Sequence, residues 1–577
     1  MHLRYVAWFL PFALMMPFLA HSQEGAHSGS GPNARSNQEG KMFGEPVELK
    51  GRTIYFTSWK YVRQGNFTWR VEKGAGASPG EQQAGGWLRG DGGSPARFEP
   101  VDMPRGIRLV AQKAEKVPLR PGQRAAQVFD EGKYKEWDSG PPCPNSKARI
   151  LPGHNAYLRY NESEDGITWR APNLGLYEYA GSRNNSIVFR GDLNGSTRGW
   201  HGGSVFIDPS SKDERYKMIY LGIITDEEWD AFAKKYPGEA DTMARRKDMG
   251  GFRCVVAVFG AVSPDGVHWK SLPEPLMIQH SDTMNTCYYD PDRKQYIAYI
   301  RMWQVGEKSA QVGDQYSDSW IRVGRRCIGR AVSPDFRHFS KPEIVISTGA
   351  DMPPSHVWYT NAKTTLPDGP DNHVMFPWLW ELERDGGDVY LFSSPDGRTW
   401  SQVPGGPVVE RGPLGAADGG YVVCGINLLQ YPGDKWGIPY SGSPIPHKYP
   451  GRDIEQRKGL FPGVKGVDGL AMWPKGRLVA LQCDEEGEFA TVAVIAPASR
   501  IRLNAVIPPT GGIKVAVSLL GKGDVPGRSF EDADHLMGDS LAMPVTWKGE
   551  ADMKHNSAPV ILRFQLREAR LFGVEFY

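Results

Sequence analysis

The fold of this chain is decided by a stretch that begins with SPDGVHW at residues 263–269 and continues with HSDTMNTCYYDPDRKQYIAYIRMW at residues 280–303. The Asp-Gly pair favours a chain reversal, because Gly accepts positive φ and Asp can bond its own backbone. The second segment holds a polar cluster, a β-branched and aromatic run, an Asp-Pro turn and another such run. This order predicts a β-hairpin that follows a polar segment.

The heptad recurs along the chain, as SEDGITW at 163–169, SPDGRTW at 394–400 and, in degenerate form, SPDFRHF at 333–339. The copies lie roughly 60 to 100 residues apart, somewhat more than the 40 to 50 residues of common propeller repeats. A proline-rich link and a further strand pair follow each copy. Repeats of this kind are typical of β-propeller blades, which are four-stranded sheets around a central channel. We interpret the heptad itself as a turn between outer strands whose Trp fills the gap between blades.

Length and composition narrow the class of protein. The chain has 577 residues, a net charge of +2 and 18 Trp. It is long enough for more than one hydrophobic core. Its nearly balanced charge gives no indication of a nucleic-acid partner.

The amino terminus predicts export. Arg4 precedes an apolar run from Val6 to Ala20, and Ala20-His21-Ser22 has the small-x-small pattern of a signal-peptidase site. We expect a signal peptide over 1–22 and a disordered leader over 23–45, with a periplasmic or extracellular location. The alternative is an uncleaved anchor, but the run is short for a membrane span and contains two prolines. We expect no membrane insertion after cleavage.

The six cysteines do not cluster. No C-x-x-C pair exists, so the spacing gives no sign of a zinc site. Export permits disulfides, yet most of these cysteines lie within predicted strands, and buried thiols are an equal alternative. The cysteines are Cys143, Cys254, Cys287, Cys327, Cys424 and Cys483.

The strand pattern predicts an all-β protein with three parts. A small N-terminal β module is expected over 46–116 and a five-bladed propeller over 117–497. In the fifth blade, 478–481 and 489–494 are the expected outer strands. A C-terminal β-sandwich is expected over 498–577, where apolar and polar residues alternate.

Polar residues at the start of the inner strands are expected to line one axial pocket. Asp208 and Asp290 are excluded from this set, because each precedes Pro in the turn after an inner strand. Most members have a structural alternative as hydrogen-bonded walls, and the Asn residues as partners of backbone groups. The expected set is His201, His280, Asp282, Asn285, His356, Trp358, Tyr359, Asn361, Asp418 and Tyr421.

The carboxylates suggest the chemistry. Glycosidic bond cleavage needs an acid for the leaving oxygen and a second carboxylate as base or nucleophile. Asp282 and Asp418 form the preferred pair, and Glu410 is the preferred acid from the loops. Glu381 and Glu383 are alternative acids that the aromatic residues Trp358, Trp378 and Trp380 would surround. Each of these Glu could equally be a solvated loop charge.

A resemblance to a known superfamily supports this interpretation. The succession of blades with S-x-D-G-x-x-W turns, the H-S-D-T-x-N segment at 280–285 and the Y-T-N segment at 359–361 resemble the five-bladed propeller glycosidases of the invertase and arabinofuranosidase superfamily. The nearest similarity is to exported, uncharacterised proteins related to glycoside hydrolase family 32, whose tail resembles 538–549. The invertase motifs W-M-N-D-P-N-G, R-D-P and E-C-P are absent. The resemblance therefore implies the fold, and no catalytic residue is carried over.

These observations predict an exported glycoside hydrolase that acts on an oligo- or polysaccharide of plant, algal or microbial origin. One alternative is a propeller that binds carbohydrate without catalysis. Another is a sialidase-like enzyme, although the heptad is one residue shorter than the sialidase Asp-box and no arginine triad is evident. Asp282 and Asn side chains could hold an axial calcium ion, because calcium prefers oxygen ligands. The sequence does not require a cofactor. The sequence does not indicate an oligomeric state.

Overall fold

The computed structural model describes most of the chain after the predicted leader. Apart from one helix, its regular elements are almost entirely strands. The predicted signal peptide and leader, His280 and Cys143 lie outside the described residues. Described are residues 46–70, 97–120, 125–142, 156–193, 196–241, 245–247, 253–279, 281–304, 325–447, 461, 463–520 and 522–577.

Five antiparallel sheets follow one another as propeller blades, which confirms the predicted five-bladed propeller. The first strand of blade two contacts the first strands of blades one and three, as expected of strands that face a common axis. Blade one contains Ala125–Asp130, Lys133–Pro142, Ala156–Ser163 and Ile187–Phe189. Blade two contains His201–Ile207, Tyr216–Ile224 and Arg253–Ser263, with Arg245–Lys247 and Lys270–Ser271 at its outer edge. Blade three contains Thr286–Asp290, Gln295–Gln304, Arg325–Ser333 and Glu343–Ile346. Blade four contains Thr364–Leu366, Gly369–Met375, Phe392–Ser394 and Ser401–Gln402, and a separate strand pair, His356–Trp358 with Leu379–Glu381, extends it. Blade five contains Tyr421–Cys424, Leu429–Tyr431, Lys435–Ser443, Val467–Pro474 and Glu115–Arg120.

The ring closes through a strand from the other end of the propeller sequence. Glu115–Arg120, which precedes blade one, pairs antiparallel with Val467–Pro474 of blade five, with Val117 opposite Leu470. The predicted outer strands of blade five at 478–481 and 489–494 belong to another sheet, so the propeller ends near 474 rather than at 497. Alternation of side chains is the same in either sheet, so it could not reveal the partner.

A second β domain follows the propeller, as predicted, and it is built around the 17-residue strand Val560–Phe576. This strand pairs on both of its edges, with Val479–Ala490 among its partners. The predicted N-terminal module is not independent, because Val47–Glu48, Thr53–Tyr55 and Arg108–Ala111 join this ten-stranded sheet. The remaining strands of the sheet are Val494–Ile495, Ile501–Ile507, Gly512–Leu519, Gly523–Asp524 and Gly538–Pro544.

One hydrophobic core joins the two domains. Trp436 and Trp473 of blade five belong to the same buried cluster as Leu481, Phe564 and Val574 of the ten-stranded sheet. Because buried apolar side chains are shared across the junction, neither domain has its own closed core there. The strand pair Asn66–Arg70 with Arg97–Val101, the pair Asp192–Leu193 with Ser196–Thr197, and a 3₁₀ turn at Trp59–Tyr61 complete the described elements.

Each heptad forms the same turn. In the blade-two copy the Ser263 hydroxyl donates to Asp265 Oδ1 at 3.0 Å and accepts from Gly266 N at 2.9 Å. Asp265 Oδ1 accepts from the next two backbone N–H groups at 2.8 Å. The Ser–Asp bond and the bonds that Ser and Asp accept from the backbone recur at 163–168, 333–337 and 394–399. Trp269 packs on Trp137 of blade one, with ring centroids 6.5 Å apart. The heptads are therefore structural turns whose aromatic residue fills a blade interface.

Blade two carries the α-helix Asp226–Lys235 in the segment after its second strand Tyr216–Ile224. Its N-cap Thr225 and Glu228 make a reciprocal capping box, and Glu228 also binds Arg198 at 2.6 Å. Arg198 also donates to Ile223 O of blade two at 2.8 Å, so this pairing fixes the start of the helix to the blade. Four described cysteines are buried free thiols: Cys287, Cys327, Cys424 and Cys483.

Candidate functional site

Asp282 and His201 meet where two inner strands begin. His201 opens the first strand of blade two, and Asp282 precedes the first strand of blade three by four residues. His201 Nε2 lies 2.8 Å from Asp282 Oδ1. Arg301 forms an ion pair with Asp282 Oδ2. The side chains of His201 and Asp282 are 20% and 16% exposed, whereas that of Arg301 is only 1% exposed. The structure thus joins two of the predicted axial residues and adds a buried cation beneath them.

Two guanidinium groups flank Tyr359. The guanidinium carbon of Arg326 lies 4.1 Å from the centroid of the Tyr359 ring, and that of Arg301 lies 4.9 Å from it. Both groups also lie over Trp303, at 5.7 Å for Arg301 and 5.0 Å for Arg326. Trp303 and Arg326 are paired across neighbouring strands of blade three, and Arg301 is two residues before Trp303, so alternation puts all three on one face.

Aromatic side chains form the wall beyond Tyr359. The rings of Tyr359, Trp378, Trp380 and Tyr421 surround His447, with centroid distances of 5.2 to 5.5 Å and steep ring angles. His447 Nε2 lies 3.2 Å from the Tyr359 hydroxyl. Tyr359, Trp378 and Trp380 are buried, whereas Tyr421 is partly exposed.

The two predicted asparagines hold blades together. Asn285 Nδ2 donates to Gly202 O of blade two at 3.0 Å, and Ser281 donates to Asn285 Oδ1 at 2.6 Å. Asn361 Nδ2 donates to Met284 O at 2.8 Å. Both side chains are essentially fully buried. The structural alternative, in which these amides satisfy backbone groups, is therefore the one observed.

Asp418 and Glu410 lie in the loop before blade five and bind lysines near the ring closure. Lys116, on the closing strand, forms an ion pair with Asp418 and donates to the backbone oxygen of Glu410 at 2.7 Å. Gly412 N donates to Asp418 Oδ1 at 3.1 Å. Lys113 binds the Glu410 carboxylate at 2.8 Å. The described contacts thus join Asp418 and Glu410 to each other through lysines rather than to Asp282.

Of the other acidic candidates, Glu381 binds Arg411 together with Asp388, and Glu383 lies elsewhere. Arg411 Nη2 donates to Glu381 at 3.1 Å, and its backbone N donates to Asp388 at 2.8 Å. Burial raises the pKa of Asp388, and the charges of Glu381 and Glu410 add to this effect. Glu383 accepts from Ser355 and lies 3.9 Å from His356 Nε2.

Trp358 does not belong to the aromatic wall, which corrects the sequence-based assignment. It is 1% exposed and packs edge-on against Phe392 at 4.8 Å, in the core between blades three and four. Its neighbours Val357 and Tyr359 face the wall instead. Alternation along a strand sends adjacent side chains to opposite faces, so Trp358 and Tyr359 could not both line the pocket. Asp208 and Asp290 accept backbone N–H groups in their turns, as predicted.

Five site residues were absent from the sequence-based set: Arg301, Trp303, Arg326, Asp388 and His447. A signal for Arg301 was present, because it interrupts the apolar run from Tyr296 to Trp303. A charge within a buried strand needs a partner, and the nearby Asp282 is that partner. Arg326 follows another Arg at a strand start, and His447 lies in a loop, so neither has a comparable local signal.

The described residues show neither a metal-binding group nor a membrane-spanning helix. Among them, no three His, Cys, Asp or Glu side chains are grouped in a way that would hold a metal ion. Within the same part of the chain, the single α-helix is too short and polar to span a bilayer.

Comparisons with known proteins concern the fold. No family model matches the chain, and no curated protein matches it. Similar solved structures are propeller enzymes that act on glycans. An endo-arabinase from Bacteroides thetaiotaomicron has 10% identity and a TM-score of 0.35, covering 63% of this chain and 97% of the enzyme. An N-acetylgalactosamine deacetylase from F. plautii with blood group B trisaccharide has 15% identity and a TM-score of 0.36, covering 64% and 94%. The Bombyx mori GH32 β-fructofuranosidase BmSUC1 has 9% identity and a TM-score of 0.34, covering 82% and 94%. At these values nothing about the activity of this chain follows from its neighbours.

Proposed function

We propose that this protein is an exported glycoside hydrolase that cleaves a glycosidic bond in a plant, algal or microbial glycan. The observation that carries the proposal is Asp282, a partly exposed carboxylate held between His201 and Arg301 beside an aromatic wall. A carboxylate so close to a buried strand is costly unless it is paired or used. The partial exposure of Asp282 and His201 leaves them within reach of a ligand.

Asp282 is proposed to act as the base or the nucleophile. Its two oxygens are bonded by an imidazole and a guanidinium, and such partners favour the charged form of a carboxyl group. A charged carboxylate can take a proton from the attacking water, or attack the anomeric carbon itself. In both cases one water molecule is consumed. The sugar with the anomeric carbon receives its hydroxyl group, and the leaving sugar receives its proton.

The general acid is proposed to be the carboxyl group of Glu410 or that of Asp388. A general acid must keep its proton near neutral pH, so a raised pKa is the relevant property. Asp388 has this property through burial, and Glu410 is the more exposed of the two, at 44%. The sequence predicted Asp418 as the second catalytic carboxylate beside Asp282. In the structure Asp418 binds Lys116 and the backbone N–H of Gly412. We propose that Asp418 braces the loop before blade five.

The activity is tested by incubating the secreted protein with a panel of plant, algal and microbial polysaccharides and measuring reducing ends. Release from at least one glycan, lost in Asp282→Asn, is the expected result. Binding without release would instead favour a carbohydrate-binding propeller, and release of sialic acid a sialidase-like enzyme. Export is tested by mass spectrometry of the mature protein, which should begin at Gln23.

A further inference from the structure

The arginine pair beneath Asp282 has no role in the chemistry proposed above. Arg301 and Arg326 are 2% and 3% exposed, and both pack on the Tyr359 and Trp303 rings. Arg326 also lies 4.4 Å from the centroid of Trp380. Two like charges that share the same rings repel each other, and removing a guanidinium from water is unfavourable. Methionine or leucine would pack on these rings without that cost.

Arg301 has hydrogen-bond donors that its ion pair with Asp282 does not use. Its Nη2 side binds Asp282, but Nε and Nη1 are buried and have no hydrogen-bond acceptor within the described part of the chain. A buried donor without an acceptor is unfavourable unless a ligand supplies one. Guanidinium groups present their N–H donors in a planar fork, which matches the oxygens of a carboxylate or a sulfate.

We propose that the buried cluster of Arg301, Arg326, Trp303, Tyr359 and Trp380 binds an oxyanionic group of the glycan, either the carboxylate of a uronic acid or a sulfate ester. This inference rests on the proposed glycan-binding function of the same site. The guanidinium groups would select the charge of the ligand, and the aromatic rings hold the guanidinium groups in place. Asp282 contacts this cluster through its ion pair with Arg301.

Matched glycans that differ only in charge provide the test. Oligogalacturonate is compared with its fully methyl-esterified form, and a sulfated galactan oligosaccharide with its desulfated form, by calorimetry on the full-length secreted protein. We expect one charged ligand to bind at least about 10-fold more tightly than its neutral match, because a charge-assisted bond to a buried arginine is lost in the neutral form. Which pair shows the preference identifies carboxylate or sulfate.

Arg326→Met removes one of the two charges but keeps an apolar side chain on the rings, and it should reduce the preference severalfold, with the remaining preference due to Arg301. Arg293→Met is the matched control, because Arg293 binds Asp290 in the turn after the first strand of blade three. Arg326→Lys, which keeps a charge without the fork, should retain part of the preference and serves if the Met variant does not fold.

Equal binding of charged and neutral ligands, or an unchanged preference in Arg326→Met, would overturn the inference. Hydrolysis of neutral glycans alone would refute the oxyanion site and leave the hydrolase proposal intact. Selective binding of a charged glycan without hydrolysis would support the oxyanion site and refute the hydrolase proposal.

Discussion

Asp282 and Asp418 occupy comparable places in the propeller but have different surroundings. Each lies three or four residues before the first strand of a blade, and each is paired with a cation. Asp282 is partly exposed beside His201 and the aromatic wall. The side chain of Asp418 is 11% exposed, against 16% for Asp282, and it is bound by Lys116 of the closing strand. The comparison shows that the position before an inner strand does not by itself assign a function, because the neighbouring elements decide it.

The largest expected effect is on the rate. Asp282→Asn keeps the shape of the side chain but removes its charge, so a base or nucleophile would be lost. We expect kcat per folded molecule to fall about 10²- to 10⁴-fold, together with a lower Tm, because the buried Arg301 guanidinium loses its carboxylate partner. Steady-state hydrolysis and thermal unfolding of the same preparation measure both quantities. A large loss of stability with an unchanged rate per folded molecule would make Asp282 a structural residue like Asp418.

Asp418→Asn is expected to lower stability without lowering the rate. The substitution leaves Lys116 without its carboxylate partner at the strand that closes the ring. We expect a loss of roughly 1–3 kcal/mol in the free energy of unfolding, measured by urea denaturation, with the rate per folded molecule retained. Lys116→Met should give a similar loss of stability. A rate decrease without a change in stability would restore Asp418 as the catalytic partner of Asp282.

His373, a buried residue of blade four, is expected to make the stability of the native state depend on pH. Burial, together with the nearby charge of Lys363, lowers the pKa of His373 to about 3. The unfolded chain takes up this proton near pH 6.5, so the native state should lose stability as pH falls from about 6.5 towards 3. Urea midpoints measured between pH 4 and 7 should decline less steeply in His373→Gln than in the wild type. Parallel curves for the two proteins would show that His373 is not the titrating group.

The smallest effect is expected in the repeated turns. The backbone N–H groups of Thr168 and Ile167 lower the pKa of Asp165 to about 2. This stabilisation is present above the unfolded pKa near 3.9 and disappears as pH falls through about 2. Asp165→Asn should therefore lower Tm slightly at pH 6, less than Asp418→Asn does, and the difference should vanish near pH 2. A Tm difference that persists at pH 2 would mean that the turn depends on the shape of Asp165 rather than on its charge.

Local sequence determined the repeated turns, the number of blades and part of the site. Ser, Asp and Gly at fixed spacing bond one another within seven residues, so the heptads needed no distant partner to be recognised. His201 and Asp282 could be grouped because the start of each inner strand faces the same axis.

Only the tertiary structure decided which strands pair and which distant side chains meet. Glu115–Arg120 closes blade five, and Val479–Ala490 joins the second domain, although both have ordinary strand patterns. Arg301, Arg326 and His447 converge on Tyr359 from blade three and from a loop after the strand Lys435–Ser443 of blade five. Alternation tells which side chains share a face of one strand, whereas the choice of partner depends on apolar burial between segments far apart in the chain.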